Sequence, residues 1–546
     1  MLRSLNSLNQ FVVVLVLATA GTLRAEPEWL PIVPETIPAS AQEVVEPPTE
    51  GQLERRLREV EARLELLQSP INAGEAKIAP PADAAPKNPK MEGVWKNALW
   101  FESKDKAFRF NVGGVIQYDT SFFGASQGVL NSIGTFNNLA DPNLALQDGF
   151  SFRRARLRFA GNLYEQFEFF AQYEFAQALD LRRRTLGVNT TNTAFNAAQY
   201  DFDPGDNIGF NEVYVGLTNL PLVGNLRVGR MRESLNFITA TSDTNQVWME
   251  RGLMFDAFNG DFNFSNGITL QNSWCDDRVY ALLGWFHSNN FSNRGFYAVG
   301  DGDYAYDARL TGLLIDEEEE KRWLHVGADY SYRVPYQSQV RYRARSMIRS
   351  GPAFLTPNIL NTGAIFTPGA QQIANLEFAL AFGRLTFAAE AATSWINEAW
   401  TGGLPLPTGQ IPTGAVNRGS YFSSGGYVEM LYFLTPDHRR YRKERPGYDR
   451  VVPTDNFYCM NGEKGKRVGF GAWEVGMRYD YIDLTNNGIN GGIGNAVTFC
   501  VNWYLNPNAR VQANYSWMNR EFAPTDYTGR VDGPFQALGV RFNADF

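Results

Sequence analysis

From about residue 107 to residue 546 the chain is a succession of short stretches in which apolar and polar residues alternate. None contains the roughly 20 successive apolar residues that a transmembrane helix needs. A period of two puts one apolar and one polar face on a β-strand. Strands of this kind can cross lipid only when closed into a barrel, because an open backbone edge has no partner there. Barrel strands hide their apolarity among polar inward residues, so a mean hydropathy of −0.30 does not argue against a membrane location. The 39 Phe, 24 Tyr and 12 Trp suit strands and aromatic girdles, and the 50 Gly suit tight turns. The final stretch, Arg541-Phe-Asn-Ala-Asp-Phe546, alternates and closes on an aromatic residue. A secreted β-sandwich or a string of soluble β-domains is the competing architecture.

The N-terminal residues select the membrane. Arg3, the apolar run Phe11–Leu17 and the small-residue pattern Ala18-Thr-Ala20 read as an export signal, assigned to residues 1–25. Residues 26–50 are rich in Pro, Ala and Glu and read as a disordered segment. In 51–69, Leu53, Leu57, Val60, Leu64 and Leu67 recur at alternating spacings of four and three, the seam of a short coiled-coil helix. Residues 70–106 read as a linker and 107–546 as the barrel. The expected fold is therefore all-β: a transmembrane antiparallel β-barrel of about 16 strands, preceded by a short coiled-coil helix. An exported barrel of this kind belongs in a bacterial outer membrane, with its N-terminal region in the periplasm.

Strands are read at, among others, 150–160, 208–218, 304–315 and 495–505. Long outer loops fall at about 232–263 and 334–372. One connection breaks the scheme: 435–467 should be a short periplasmic turn, yet it is long and basic. Its cluster of Arg439, Arg440, Arg442, Lys443 and Arg445 reads as solvated. The three Cys give no disulfide framework. Cys275 and Cys459 both fall on the periplasmic side, where a bridge is the alternative to two free thiols, and Cys500 reads as a small packing residue in a strand.

Two arginine rows carry the functional reading. In Phe152-Arg-Arg-Ala-Arg-Leu-Arg-Phe159 strand alternation places Arg154, Arg156 and Arg158 on one face, with Arg153, Ala155 and Leu157 on the other. The three must face the lumen, since an Arg against lipid costs about 2–4 kcal/mol at mid-membrane. Arg153 sits at the upper end of the strand, within reach of the mouth. Stacked guanidinium groups form a row of forked donors suited to oxyanions. The plainer alternative is neutralisation by Glu168, Gln172 and Glu174, which share that parity on the next strand. Arg341, Arg343 and Arg345 form the second row, in a long connection that could fold back into the barrel or lie solvated.

Enzyme signals are missing from the sequence: there is no nucleophile elbow and no phosphate loop, and His287, His325 and His438 are scattered without metal-ligand spacing. No cofactor or metal is expected. A net charge of −8 argues against nucleic acid as a partner.

Several spaced pieces resemble the porin O/P family of phosphate- and polyphosphate-selective outer-membrane porins. They are Gly149–Leu157 with Gly161, Met249-Glu-Arg251, Arg341–Arg345, Tyr432–Thr435, Gly471–Val475 with Arg478, and Val501–Asn508 running to Asn514-Tyr515. The resemblance implies a sixteen-stranded homotrimeric barrel, surrounded by outer-membrane lipid, with inward-folded loops. It implies that Arg153, Arg154, Arg341, Arg343 and Arg345 line an anion path, and that the N-terminal helix trimerises beneath it. Family members also line their funnels with lysine, whereas after Lys106 this chain has only Lys321, Lys443, Lys464 and Lys466. Passive diffusion of small anions, with phosphate or polyphosphate among the candidates, is the expected function. The alternative is a structural protein that tethers the outer membrane to the cell wall through its N-terminal region.

Overall fold

The computed structural model describes residues 90–137, 145–176, 209–260, 264–287, 303–349, 357–403, 411–462, 465–521 and 532–546. The expected signal, Pro-rich segment and coiled coil, and with them the tether reading, lie outside these residues.

Sixteen strands form one closed antiparallel barrel. They are β1 (Arg109–Ala125), β2 (Gly149–Leu163), β3 (Phe167–Glu174), β4 (Gly209–Leu220), β5 (Gly224–Arg232), β6 (Phe264–Trp274), β7 (Val279–His287) and β8 (Tyr304–Glu317). The second half comprises β9 (Arg322–Arg333), β10 (Gln371–Phe382), β11 (Leu385–Thr401), β12 (Val416–Phe433), β13 (Ala472–Asn486), β14 (Ile489–Asn506), β15 (Ala509–Glu521) and β16 (Gly533–Asp545). Each strand pairs with the next, and β16 closes on β1 from Phe535↔Ala125 to Asp545↔Val115. The expected β-barrel is thus present, and alternation located its strands to within a few residues at most ends. The end of the expected linker is not irregular: Met91–Trp95 and Leu99–Ser103 form a hairpin that pairs with the start of β1.

The outward face follows the alternation. On β16, Leu538, Val540 and Phe542 point outward while Arg541, Asn543 and Asp545 are buried inside. Phe150 is 67% exposed and Leu314 60% exposed, a surface that only lipid would cover without cost. Gly229 on β5 has φ +140°, and a Cβ there would press on the Val213 carbonyl and lie 2.8 Å from the Tyr214 Cα. Gly229→Ala should therefore cost about 1–3 kcal/mol, read as a lower urea midpoint of the refolded barrel. Gly124→Ala, where a Cβ meets nothing within 4 Å, is the control and should leave the midpoint in place.

The interior is occupied by the chain's own connections. The inner loop between β5 and β6 is buried from Glu233 to Asn259 apart from Asp243-neighbouring Ser242 and Thr244. It is fastened to the wall at several points. Phe237 and Ile238 N–H donate to Glu390 at 2.8 and 3.2 Å, and Trp248 Nε1 donates to Glu429 at 2.5 Å. Met249 N–H donates to Asn514 Oδ1 at 2.8 Å. Leu253 and Phe258 of this loop pack with Tyr342, Ile359, Leu360 and Tyr421 into an apolar cluster inside the barrel.

The connection that broke the scheme keeps its register, since Phe433 on β12 pairs with Glu474 on β13. It folds inward instead. Its basic cluster is only partly the solvated run that the sequence suggested: Arg440 is exposed and Arg442 half-exposed, but Arg439 is fully buried on Glu474, Lys443 pairs with Asp316, and Arg445 donates to Ser234 at 2.8 Å. Among the described residues Cys275 is an exposed free thiol and Cys500 is buried; the side chain of Cys459 lies outside them.

Candidate functional site: an arginine network across the lumen

The first arginine row lies on β2, and a bulge alters its geometry. In the β1–β2 ladder Gln117 pairs with Arg154 and Tyr118 with Phe152, leaving Arg153 as the extra residue. A bulge changes which face successive side chains take. Arg153 therefore turns inward beside Arg154 instead of sharing the outer face with Ala155 and Leu157, which corrects the strict alternation. Its Nε and Nη2 donate to the two Glu250 carboxylate oxygens at 2.7 and 3.0 Å.

Glu250 belongs to the inner loop, and it gathers three arginines. Arg349, from the connection after β9, approaches it at 3.2 Å, and Arg541 of β16 at 3.4 Å. Arg541 also donates a forked pair to Asp119 of β1 at 2.7 and 2.6 Å; the two residues are register partners where the barrel closes. Arg349 reaches Asp256 at 3.0 Å, and Arg345 stands 3.9 Å from the same carboxylate.

Asp243 is the second centre. Arg154 lies 3.4 Å from it and Arg232 donates to it at 2.9 Å, while Arg156 and Arg251 also pair with it. Arg156 is shared with Glu174 of β3 at 2.6 Å, so neutralisation along the wall is real for this member of the row. Glu168 differs, pairing with Arg227 at 2.6 Å, while Gln172 is the register partner of Arg158. Arg158 lies lower on β2, its guanidinium over Gly113, where a Cβ would come within 2.6 Å of it.

The second row folds into the barrel. Arg343–Arg345 pairs with Asn358–Asn361 as a short inner hairpin. Arg341, Arg343 and Arg345 are half-buried on one face, while Tyr342 and Ala344 are fully buried on the other. Arg341 Nε donates to Asn361 Oδ1 at 3.0 Å. The two rows, far apart in sequence, thus meet through Glu250, Asp256 and Arg349.

Sequence reasoning found Glu174 but missed Asp119, Asp243, Glu250 and Asp256 as members of this network, together with Arg232, Arg251 and Arg541. Strand parity could have found Asp119 and Arg541. Asp243 and Glu250 lie in a loop with no period to read.

Burial works against charging Asp243, yet Arg154, Arg232, Arg251 and Arg156 hold its carboxyl well below the usual carboxylate range. Burial likewise opposes ionisation of Glu250, and Arg153 and Arg349 outweigh it, holding it well below that range. A carboxylate depressed in this way gives its full stabilisation above the ordinary carboxylate range near pH ~4. It loses that contribution only as pH falls through the lower folded value. Hydrogen-exchange protection of inner-loop amides, corrected for intrinsic rates, should therefore be the same at about pH 5 as at about pH 7. A loss of protection by about pH 5 would contradict the ion-pair account.

A closed lipid-facing barrel whose inward loops carry charged side chains across the lumen defines an outer-membrane porin. Within that class, the chain belongs to the family of phosphate-selective porins O and P, whose model matches residues 124–546. It is 24% identical over 443 residues to Porin O of Pseudomonas aeruginosa, covering 77% of this chain and 85% of that one. It is 26% identical over 485 residues to an uncharacterized protein of Caulobacter vibrioides, covering 88% and 82% of the two chains. Among solved structures, it is similar to an anion-selective porin from Comamonas acidovorans, with TM-score 0.42, 10% identity and coverage of 80% and 100%. It is also similar to the outer-membrane channel DcaP of Acinetobacter baumannii, with TM-score 0.42, 11% identity and coverage of 82% and 99%.

Proposed function

We propose that this porin passes small anions by passive diffusion, without chemistry, along the arginine network. One observation carries the reading. Eight guanidinium groups, on Arg153, Arg154, Arg156, Arg232, Arg251, Arg345, Arg349 and Arg541, meet five carboxylates, on Asp119, Glu174, Asp243, Glu250 and Asp256. Three positive charges are left over within a low-dielectric wall. Fixed charge in a narrow, poorly screened space focuses potential and raises the local concentration of counter-ions. The carboxylates keep each guanidinium partly occupied, so an anion is held weakly and can leave.

Phosphate and polyphosphate are the favoured oxyanions, because planar forked donors suit them and the related Porin O carries its family's description. In this reading Arg153, Arg154, Arg156 and Arg158 form the wall side of the path, and Arg341, Arg343 and Arg345 the loop side. The assembly is a homotrimer.

Reversal potentials across a KCl gradient in planar bilayers test this. Wild-type protein should prefer chloride, and Arg154→Ala combined with Arg343→Ala should reduce that preference. Cation preference, or an unchanged potential in the double variant, would defeat the anion reading.

A further inference from the structure

Where the inner loop leaves the barrel wall, two acids share one base. Glu233 is the first residue after β5, Asp307 lies on β8 and Arg333 ends β9, and all three are buried. The β8–β9 ladder sets Asp307 opposite Ser331, two residues from Arg333. Arg333 donates to Glu233 Oε2 through Nη1 at 2.9 Å and also through Nη2, and it stands 3.9 Å from Asp307 Oδ1. That Asp307 oxygen accepts from the Ser331 hydroxyl at 2.6 Å.

The other two oxygens are different. Glu233 Oε1 and Asp307 Oδ2 are buried without a hydrogen-bond partner, and the two carboxyls lie within hydrogen-bond reach of each other. No second guanidinium among the described residues comes within 4 Å of either carboxyl. The neighbouring charges are committed elsewhere. Arg232, one residue before Glu233, pairs with Asp243, while Arg445 bonds Ser234 and lies 3.7 Å from Glu212. Ser265 of β6, also facing Glu233, carries no charge. Two ionised carboxylates on one guanidinium would leave an uncompensated negative charge in a dry site, which is strongly unfavourable. A single proton between the two oxygens removes that charge: a neutral carboxyl donates to a carboxylate, and the pair then matches Arg333.

We infer that Glu233 and Asp307 hold one proton between them, and that this proton is a pH-sensitive latch fastening the base of the inner loop to the β8–β9 wall. Burial raises the Glu233 carboxyl, Arg333 opposes burial and Asp307 adds to it, with the group standing at about 8. A carboxyl raised in this way keeps its proton through neutral pH and gives it up as pH rises through that value. The latch is therefore closed in acid and at neutrality and opens in alkali. Two like charges then face each other across one guanidinium, and the loop base moves off the wall, widening the lumen. The inference concerns the width of the passage and does not depend on which ions use it.

Single-channel conductance of the full chain in potassium chloride, recorded from about pH 6 to about pH 10, is the test. Wild-type protein should show a rise centred near pH 8. Glu233→Gln should abolish it, because the amide donates to Asp307 at every pH, and its conductance should stay at the acid level of wild type. Asp307→Asn, which puts the donor on the other side, should abolish it too. A flat wild-type profile, or a rise that persists in either variant, would overturn the inference. Should both variants fail to refold, wild-type crystals at about pH 6 and about pH 10 decide. Glu233 Oε1 and Asp307 Oδ2 should touch at the lower pH and part at the higher; contact at both, or separation at both, would also overturn it. Anion preference is read from reversal potentials at one fixed pH, so the two readings can fail separately.

Discussion

Asp243→Asn should release the inner loop, exposing Arg251 to trypsin in the refolded barrel and raising single-channel conductance. One carboxylate serves four guanidinium groups there, on Arg154, Arg156, Arg232 and Arg251, and all five side chains are buried. An amide of the same shape still accepts a hydrogen bond but supplies no charge. Removing one partner of a buried ion pair costs about 3–5 kcal/mol, because the other charge is stranded. Arg156 keeps Glu174; the other three have no such reserve within the cluster. The cost falls on the loop rather than on the wall, because the ladder hydrogen bonds do not pass through Asp243. Unchanged protease resistance and unchanged conductance would show that the contacts to Glu390, Glu429 and Asn514 hold the loop without it.

Excising residues 438–453 should produce the larger change in transport, a severalfold rise in single-channel conductance. The segment lies inside the barrel, with Trp323 Nε1 donating to the Arg439 carbonyl at 2.9 Å and Tyr448 donating to Glu429 at 2.7 Å. Its ends already meet: Thr454 donates to Asp437 Oδ1 through its N–H at 2.6 Å and through its hydroxyl at 2.9 Å. Two glycines can therefore join Asp437 to Thr454 without disturbing β12 or β13. Glu474 and Glu429 lose partners, but into a lumen that water now enters, so the penalty is smaller than for a dry site. Conductance equal to wild type would place the narrowest point at the inner loop instead.

Both experiments address what alternation does not encode. A strand's side-chain period is fixed by the pleat, so Arg154, Arg156 and Arg158 could be assigned to the lumen from their spacing alone. Arg153 could not, because a single extra residue in the ladder reverses the parity around it. The basic run Arg439–Arg445 shows the same limit from the other side. Charge clusters are ordinarily solvated, as Arg440 is here, and it takes carboxylates of distant strands to bury Arg439 on Glu474 and to draw Lys443 and Arg445 partly inward to Asp316 and Glu212.

Pattern along the chain determined the closed barrel, its strand count and the identity of its outward face, because each follows from local periodicity under the demand that lipid makes on the backbone; the family was legible only through the resemblance of its spaced motifs. Closure in three dimensions decided the rest. Asp119 meets Arg541 only when the first and last strands join. Glu250 gathers Arg153, Arg349 and Arg541 only when a loop from the middle of the chain folds into the lumen. Coulomb attraction depends on distance in space, and the residues that set the charge of this lumen are hundreds of positions apart in sequence.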